Sequence, residues 1–347
     1  MAVESRFPNV HLIGSGGISS VYQVDCGIVV KVPNSDEFSR QQFLKEIEIY
    51  KRFSRQTACA FIVQCFHLTD DAIFLENMRD QCLAIRIQGN HDYDWEKWVV
   101  IQVNKLEPLH LRLAWMNGIT QAIAFLESLT LAHGDLRPEN ILLHDNKIKV
   151  TDFDNTAPFG TPFWVCMEPW GRELTEPEIG YDTPGCPAGL LGPRTEQFAL
   201  GSMYYYINYG MAVYEDKTLT VSWRDRGIAR RKLFQDMQFP VLDCDPMIDE
   251  LIHKCWHNQF PTIASLAAAT KQLFDKRCSR EENEAVEGGK DEKIASDGDE
   301  ATKAFCQKLQ EDERFGHGIT SPEGRLVIPY VESIENRNEC LQTNKST

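Results

Sequence analysis

The chain contains no run of about 20 apolar residues, the length a bilayer-spanning helix needs. Its longest apolar stretch, Phe198 to Tyr214, is interrupted by Ser202, Asn208 and two glycines and reads as a buried helix. Met1 to Val10 carries a single arginine and no continuous apolar segment, so no secretory signal is expected there. The eleven cysteines, spread from Cys26 to Cys340, form no C-x-x-C pair, which excludes the usual zinc spacing and a dense disulfide framework. Reduced thiols of an intracellular protein, cytoplasmic or nuclear, are the expectation. An excess of base is missing too. Lysine and arginine number 36 against 51 acids, and a net charge of −15 argues against nucleic acid or an anionic membrane as a general partner.

What is present is ample core material: 42% hydrophobic and 10% aromatic residues in 347, enough for one large two-lobed domain with an appendage. Composition changes after about residue 276. From Glu281 to Arg314 twelve acids face five bases with few large apolar residues, the signature of a solvated tail over 276–347. A lone apolar run, Leu326 to Val331, lies within it, and tail-mediated protein contacts are a possible use.

Before that boundary the first third reads as strands. Leu12-Ile13, Val21 to Val24 and Ile28 to Val32 are short β-branched runs broken by Gly14, Gly16, Gly17 and Gly27, which predicts an antiparallel meander. A helix between Ser39 and Phe53 carries Phe43, Ile47 and Tyr50 at helical spacing, and strand-like runs follow at Phe61 to Leu68 and Ala72 to Leu75. Next comes a long helix with Leu111, Trp115, Ile119, Ala122, Ile123 and Leu126 on one face. The predicted fold class is α+β: a small antiparallel β lobe with one main helix, then a larger, mainly helical lobe.

The chemistry concentrates in Leu131-Ala-His133-Gly134-Asp135-Leu136-Arg137-Pro138-Glu139-Asn140-Ile141, followed twelve residues after Asn140 by Asp152-Phe153-Asp154. This resembles the H-x-D-L-x-x-x-N catalytic loop and D-F-G of eukaryotic-type protein kinases. Upstream, Gly14-Ser15-Gly16-Gly17-Ile18-Ser19-Ser20-Val21 is similar to their glycine-rich loop, and Ile28-Val29-Val30-Lys31 to their V-A-I-K strand. Arg194 to Gly201, with Glu196 in place of the usual Asp, looks like the start of their central helix, and the neighbourhood of Tyr204-Tyr205-Tyr206 is similar to kinase-like proteins of filamentous fungi.

The resemblance covers 8–275 and implies a small lobe over 8–78, a hinge over 76–82 and a large lobe over 83–275. It implies ATP and Mg²⁺ as cofactors and a protein as substrate. Asp135 would accept the proton of the attacking hydroxyl, Lys31 paired with Glu46 would grip phosphates, Arg137 would touch the transferred phosphate, and Asn140 with Asp152 would bind the metal. Ile13, Gly14, Ser15, Gly16, Gly17, Ile18, Val21 and Val29 would line the nucleotide, with Leu75 as gatekeeper and Glu76 to Met78 offering hinge backbone. Glu48 is the competing helix carboxylate, expected in solvent. Arg137 stands where Ser/Thr kinases carry a lysine, which tilts the expectation towards Ser/Thr over Tyr.

The departures are informative as well. Gly134 stands in place of the arginine that receives an activation-loop phosphate, Ser19 replaces the third loop glycine, and Asp154 replaces the glycine of D-F-G, where a left-handed backbone would favour it. Glu176-Pro177-Glu178 is the nearest thing to A-P-E, and Phe260 stands where the arginine partner of its glutamate is expected; both halves of that ion pair look altered together, so a different packing of the segment before the central helix is expected. Trp95 and Trp98 read as packing residues, and His91-Asp92-Tyr93-Asp94 lacks metal-ligand spacing. His-Gly-Asp also resembles small-molecule phosphotransferases and the kinase subunit of the KEOPS tRNA-modification complex. A pseudokinase scaffold is a third reading, against which all five chemically required residues are retained.

Overall fold

The computed structural model describes residues 10–163, 168–179, 186–220 and 222–284; the tail beyond, with Leu326 to Val331, lies outside the described residues. These residues form two compact units, one of 10–47 with 65–77, the other of 48–64 with the remainder from 78 onward. No helix among the described residues is long and apolar enough to cross a membrane.

The first unit is a five-stranded antiparallel sheet in the order β1-β2-β3-β5-β4. Its strands are β1 (His11–Ser15), β2 (Ser19–Asp25), β3 (Ile28–Pro33), β4 (Cys65–Leu68) and β5 (Ile73–Glu76). Tyr22, Ile28, Val30, Val32 and Phe74 pack into one core on this sheet, burying the β-branched runs that marked it in the sequence. Helix α1 (Glu37–Phe53) follows β3. Asp36 starts it, its carboxylate accepting from the Ser39 amide at 2.9 Å and the Ser39 hydroxyl at 2.5 Å. Phe43 and Ile47 fall on the buried face of α1, and Glu46 sits between them in sequence and is wholly buried as well.

In the second unit, α2 (Leu83–Gln88) leads to a hairpin of β6 (His91–Asp94) and β7 (Val99–Val103), and then to α3 (Leu109–Ser128). Trp115, Ile119, Ala122, Ile123 and Leu126 of α3 are buried as the 3.6-residue period requires. After α3 come β8 (Leu131–Ala132), β9 (Ile141–His144), β10 (Lys147–Val150), β11 (Ala157–Pro158) and the short α4 (Glu176–Ile179). Helices α5 (Pro193–Tyr209), α6 (Trp223–Gln235), α7 (Pro246–Trp256) and α8 (Ile263–Glu284) complete it, α8 running past Lys276, where the composition changes.

Helix α5 holds the first part of the apolar stretch read from the sequence and is buried on nearly every side; the sequence predicts a helix as far as Tyr214, but the left-handed Gly210 ends it after Tyr209. The polar groups that burial strands find partners. The Tyr206 hydroxyl donates to the Ala84 carbonyl at 3.1 Å, the Tyr204 hydroxyl meets that of Thr120, and the Asn208 amide donates to the Tyr204 carbonyl at 2.8 Å. A Cβ at Gly201 would lie 2.8 Å from that of Cys255, so the glycine sets how closely α5 and α7 approach.

Candidate active site

In the first unit Lys31 points from the middle of β3, flanked by Val21 and Ile73 on the neighbouring strands. Its ammonium lies 2.7 Å from Glu46 Oε2, with the two side chains 7% and 0% exposed. Burying either charge alone would cost several kcal/mol, so at this depth each needs the other. Glu48 faces solvent and pairs with Lys51 at 2.7 Å.

The glycine loop between β1 and β2 turns on a bond from the Gly16 amide to the Ser19 carbonyl at 2.8 Å. Asn34, which nothing in the sequence singled out, straps it by donating to the Gly16 and Gly17 carbonyls at 3.3 and 3.0 Å. At Gly14 and Gly17 the space a Cβ would occupy is empty, leaving backbone open to a ligand. Neither these glycines nor Ser19 has positive φ. Ser19 in place of a glycine therefore carries no backbone strain; it is buried as the first residue of β2. Ile13 is half exposed, Ile18 and Val21 are partly buried, and Val29 is buried opposite Leu75. Glu76 ends β5, and Met78 is buried in the second unit.

The second unit shows why Asn140 and Asp152 stand twelve residues apart. β9 and β10 form a hairpin through Asp145-Asn146, both at positive φ (49° and 62°) as a two-residue turn demands. Four residues out and four back bring Thr151 beside Asn140, and the Thr151 amide donates to the Asn140 carbonyl at 3.0 Å. Asp152 is the next residue. It is this residue that adopts the left-handed conformation (φ 67°), so the sequence expectation that placed this conformation at Asp154 is corrected.

The loop from His133 to Asn140 is held from inside. The Asn140 side-chain amide donates to the Asp135 carbonyl at 2.8 Å and to Asp135 Oδ2 at 3.2 Å. His133 is fully buried; its Nδ1 accepts from the Asp135 amide at 3.3 Å, which puts the proton on Nε2 facing the Thr151 carbonyl at 3.1 Å. Burial holds the imidazole pKa below its ordinary value and keeps the ring neutral. Beneath it Phe153 packs with its centroid 5.4 Å from the His133 ring and 5.1 Å from that of Phe53.

Glu196, at the start of α5, accepts from the backbone amides of His133 and Gly134 at 3.0 and 3.4 Å and is 2% exposed. Burial pushes its carboxyl up to about 7, against the pull of those two donors. Gly134 is the tightest point: φ is 79°, and a Cβ there would lie 2.6 Å from the Asn155 carbonyl oxygen. A residue with a side chain does not fit this backbone.

Asp135 is partly exposed, and burial raises its carboxyl to about 6, with Arg137 and Asn140 opposing the rise and Asp152 adding to it. Arg137 Nε lies 3.4 Å from Asp135 Oδ2. The carboxylate is therefore mostly ionised at neutral pH yet close enough to titration to take a proton. Beside it opens a cavity of about 250 Å³ lined by Asp135, Arg137, Phe163, Trp170, Thr195 and Glu196, among others.

The segment after this loop is anchored locally. Glu178 keeps an arginine, namely Arg172, in a two-pronged pair at 2.6 and 3.0 Å. That pairing holds its carboxyl down to about 2. An arginine–glutamate pair is thus made locally, six residues apart, in place of the distant partner. Where Phe260 stands, the buried Gln197 takes over: its amide donates to the Phe260 carbonyl at 2.9 Å and accepts from the Phe260 amide at 3.0 Å.

With its Nδ2 spent on Asp135, Asn140 retains Oδ1 as an oxygen donor, and Asp152 on the adjoining residue pair adds a carboxylate. Such hard oxygen ligands fit magnesium. Sequence reasoning missed Asn34, Arg172 and Gln197, since an isolated Asn, Arg or Gln carries no spacing signal.

Comparison with known proteins gives one family match, the protein kinase domain, over residues 7–274. Among similar curated proteins, a probable serine/threonine-protein kinase of Dictyostelium discoideum is 27% identical over 169 residues, 45% of this chain and 17% of its own length. The dual specificity protein kinase Ttk of Danio rerio is 24% identical over 61% of this chain and 21% of its own length. The tyrosine-protein kinase Abl of Drosophila melanogaster is 24% identical over 77% of this chain and 16% of its own. The chain thus spans only a minor part of these relatives.

Proposed function

The chain belongs to the protein kinase family, and from that premise we propose that it transfers the γ-phosphate of ATP to hydroxyl groups of proteins, serine and threonine ahead of tyrosine. The observation that carries this reading is the state of Asp135: a carboxylate raised to about 6, steered by Asn140 and Arg137, at the edge of a cavity open to an acceptor. A base of that strength orients the acceptor hydroxyl and takes its proton as the bond to phosphorus forms. Glu196 and His133 hold the loop backbone so that the carboxylate keeps its aim.

Lys31, with its ammonium fixed by Glu46, supplies the cation for the phosphates, and the glycine loop strapped by Asn34 supplies backbone amides. Asn140 Oδ1 and the Asp152 carboxylate would hold Mg²⁺, which neutralises phosphate charge when bound. Arg137 brings a positive charge next to Asp135, and this placement together with the Leu-Arg-Pro-Glu-Asn wording favours serine and threonine. The relatives include serine/threonine, dual-specificity and tyrosine kinases, so the acceptor must be read directly.

The test is incubation of purified protein with γ-labelled ATP and Mg²⁺ in the presence of generic protein substrates and, separately, a panel of hydroxylated metabolites. Label on serine or threonine after acid hydrolysis is the expected result. Label on metabolites alone would overturn the assignment to proteins, and label on tyrosine alone would overturn the preference. A rise in thermal midpoint with Mg-ATP that disappears in Asp152→Asn would locate the metal.

A further inference from the structure

One cluster of ligand atoms is made of residues with no part in the proposed phosphotransfer. An oxygen each of Asp80 and Asp145 and a ring nitrogen of His144 stand within 4.8 Å of one another. Backbone positions all three. β9 ends at His144 and runs into the turn Asp145-Asn146, where Asp145 has φ 49°. On its other edge β9 meets the segment before α2: Cys82 bridges Leu142, and the Asp80 amide donates to the Leu143 carbonyl at 3.0 Å. That register brings Asp80 to the end of β9, and the Asp145 amide closes the group by donating to Asp80 Oδ2 at 2.8 Å.

The imidazole of His144 makes no hydrogen bond among the described residues. Its Nε2 lies 3.7 Å from Asp145 Oδ2, too far for one, and its Nδ1 is enclosed without a partner. An orphaned ring nitrogen calls for a ligand or a water. Charge is unbalanced as well. Arg86, the cation that acts on Asp80, is committed to Glu107 in a two-pronged pair at 2.6 and 3.1 Å. Two carboxylates and a nitrogen lone pair are thus left within reach of one point, and a divalent cation there would settle both the nitrogen and the charge. The nitrogen narrows the choice of ion: magnesium and calcium take oxygen ligands, whereas imidazole with carboxylate suits zinc. Bonds of about 2.0–2.2 Å require donor pairs roughly 3.5 Å apart, a closure that the Asp145 side chain, 83% exposed, makes by rotating.

We propose that Asp80, His144 and Asp145 bind a divalent transition-metal ion of the zinc type, with one imidazole nitrogen and a carboxylate oxygen from each acid as ligands and water completing the shell. The ion ties the segment at Asp80 to the turn of the β9–β10 hairpin, the hairpin that brings Thr151 beside Asn140, and so stabilises the folded chain by mass action. None of the three residues serves the proposed phosphotransfer, so the test does not depend on activity.

The measurement is calorimetric titration of the full chain with Zn²⁺, and separately with Mg²⁺ and Ca²⁺. One zinc equivalent is expected that His144→Ala, and independently Asp80→Asn with Asp145→Asn, each weaken by about tenfold or more, whereas Asp152→Asn leaves it in place. Asparagine tolerates the left-handed backbone at 145 and keeps a side-chain oxygen at 80 to accept the amide of residue 145, so the metal-free thermal midpoint of that double variant should match the wild type. Absence of zinc binding, or equal binding to wild type and all variants, would overturn the proposal. So would magnesium or calcium held as tightly as zinc, since the imidazole would then not be a ligand, and so would loss of the equivalent in Asp152→Asn, which would place the ion with the phosphotransfer residues.

Discussion

The loop from His133 to Asp152 and the segment from Gly160 to Gly192 lie next to each other in sequence but were built under different rules. In the loop the residues that resemble the family pattern bond to one another: Asn140 binds Asp135 and His133 binds Thr151. In the segment the pattern is broken, yet Glu178 is anchored by Arg172, and further along the chain Gln197 of α5 holds the backbone at Phe260. On the proposed function, the groups that would meet a reacting atom must keep identity and place, because the chemistry fixes both. Groups that only anchor backbone can be exchanged for any that reach.

Restoring the arginine of the family at Gly134 should have the largest structural effect. Gly134→Arg places a Cβ 2.6 Å from a backbone oxygen at φ 79°, so a loss of about 3 kcal/mol or more is expected in denaturant unfolding, with phosphotransfer largely abolished. Unchanged stability would mean that the loop backbone is freer than drawn here.

Next comes Lys31→Met, which leaves a wholly buried carboxylate without its cation and should cost about 3–5 kcal/mol. The double variant Lys31→Met with Glu46→Leu should recover most of that stability while remaining inactive. Recovery of activity with stability would show that the pair serves packing alone.

Arg172→Ala removes the exchanged anchor, and a loss of about 1–2 kcal/mol is expected. The pH dependence has a definite sign: Glu178 is lowered from 4.5 to about 2 by this partner, so its contribution is complete above pH 4.5 and fades as pH falls towards 2. Stability curves of wild type and Arg172→Ala should therefore converge in acid. Parallel curves would place the cause of the low carboxyl elsewhere.

The smallest effect belongs to Ser19→Gly. Ser19 begins β2 without positive φ, so restoring the glycine should weaken the protein by about 0.5–1 kcal/mol. A gain in stability or in affinity for ATP would show that the loop needs left-handed freedom there.

The strand runs, α1, α3 and the buried α5 were legible because hydrophobic periodicity records which face is covered. Asp135, Asn140 and Asp152 were legible as a set because one hairpin and one loop fix their spacing, and Lys31 only through the likeness of its strand to V-A-I-K. Arg172 and Gln197 were not, since a contact that depends on tertiary approach leaves no period in the chain. Trp95 and Trp98, read as packing residues, are instead 72% and 40% exposed, for a related reason: an aromatic residue predicts contact with something, and it does not say whether that something is this chain.

The most direct measurement compares initial rates of phosphate transfer from Mg-ATP to a generic protein substrate for wild type and Asp135→Asn, with folding of both confirmed by thermal melting. Transfer by the wild type and a loss of about 10²- to 10⁴-fold in the variant is predicted. Equal rates in the two proteins, or no transfer by a folded, nucleotide-bound wild type, would contradict the account.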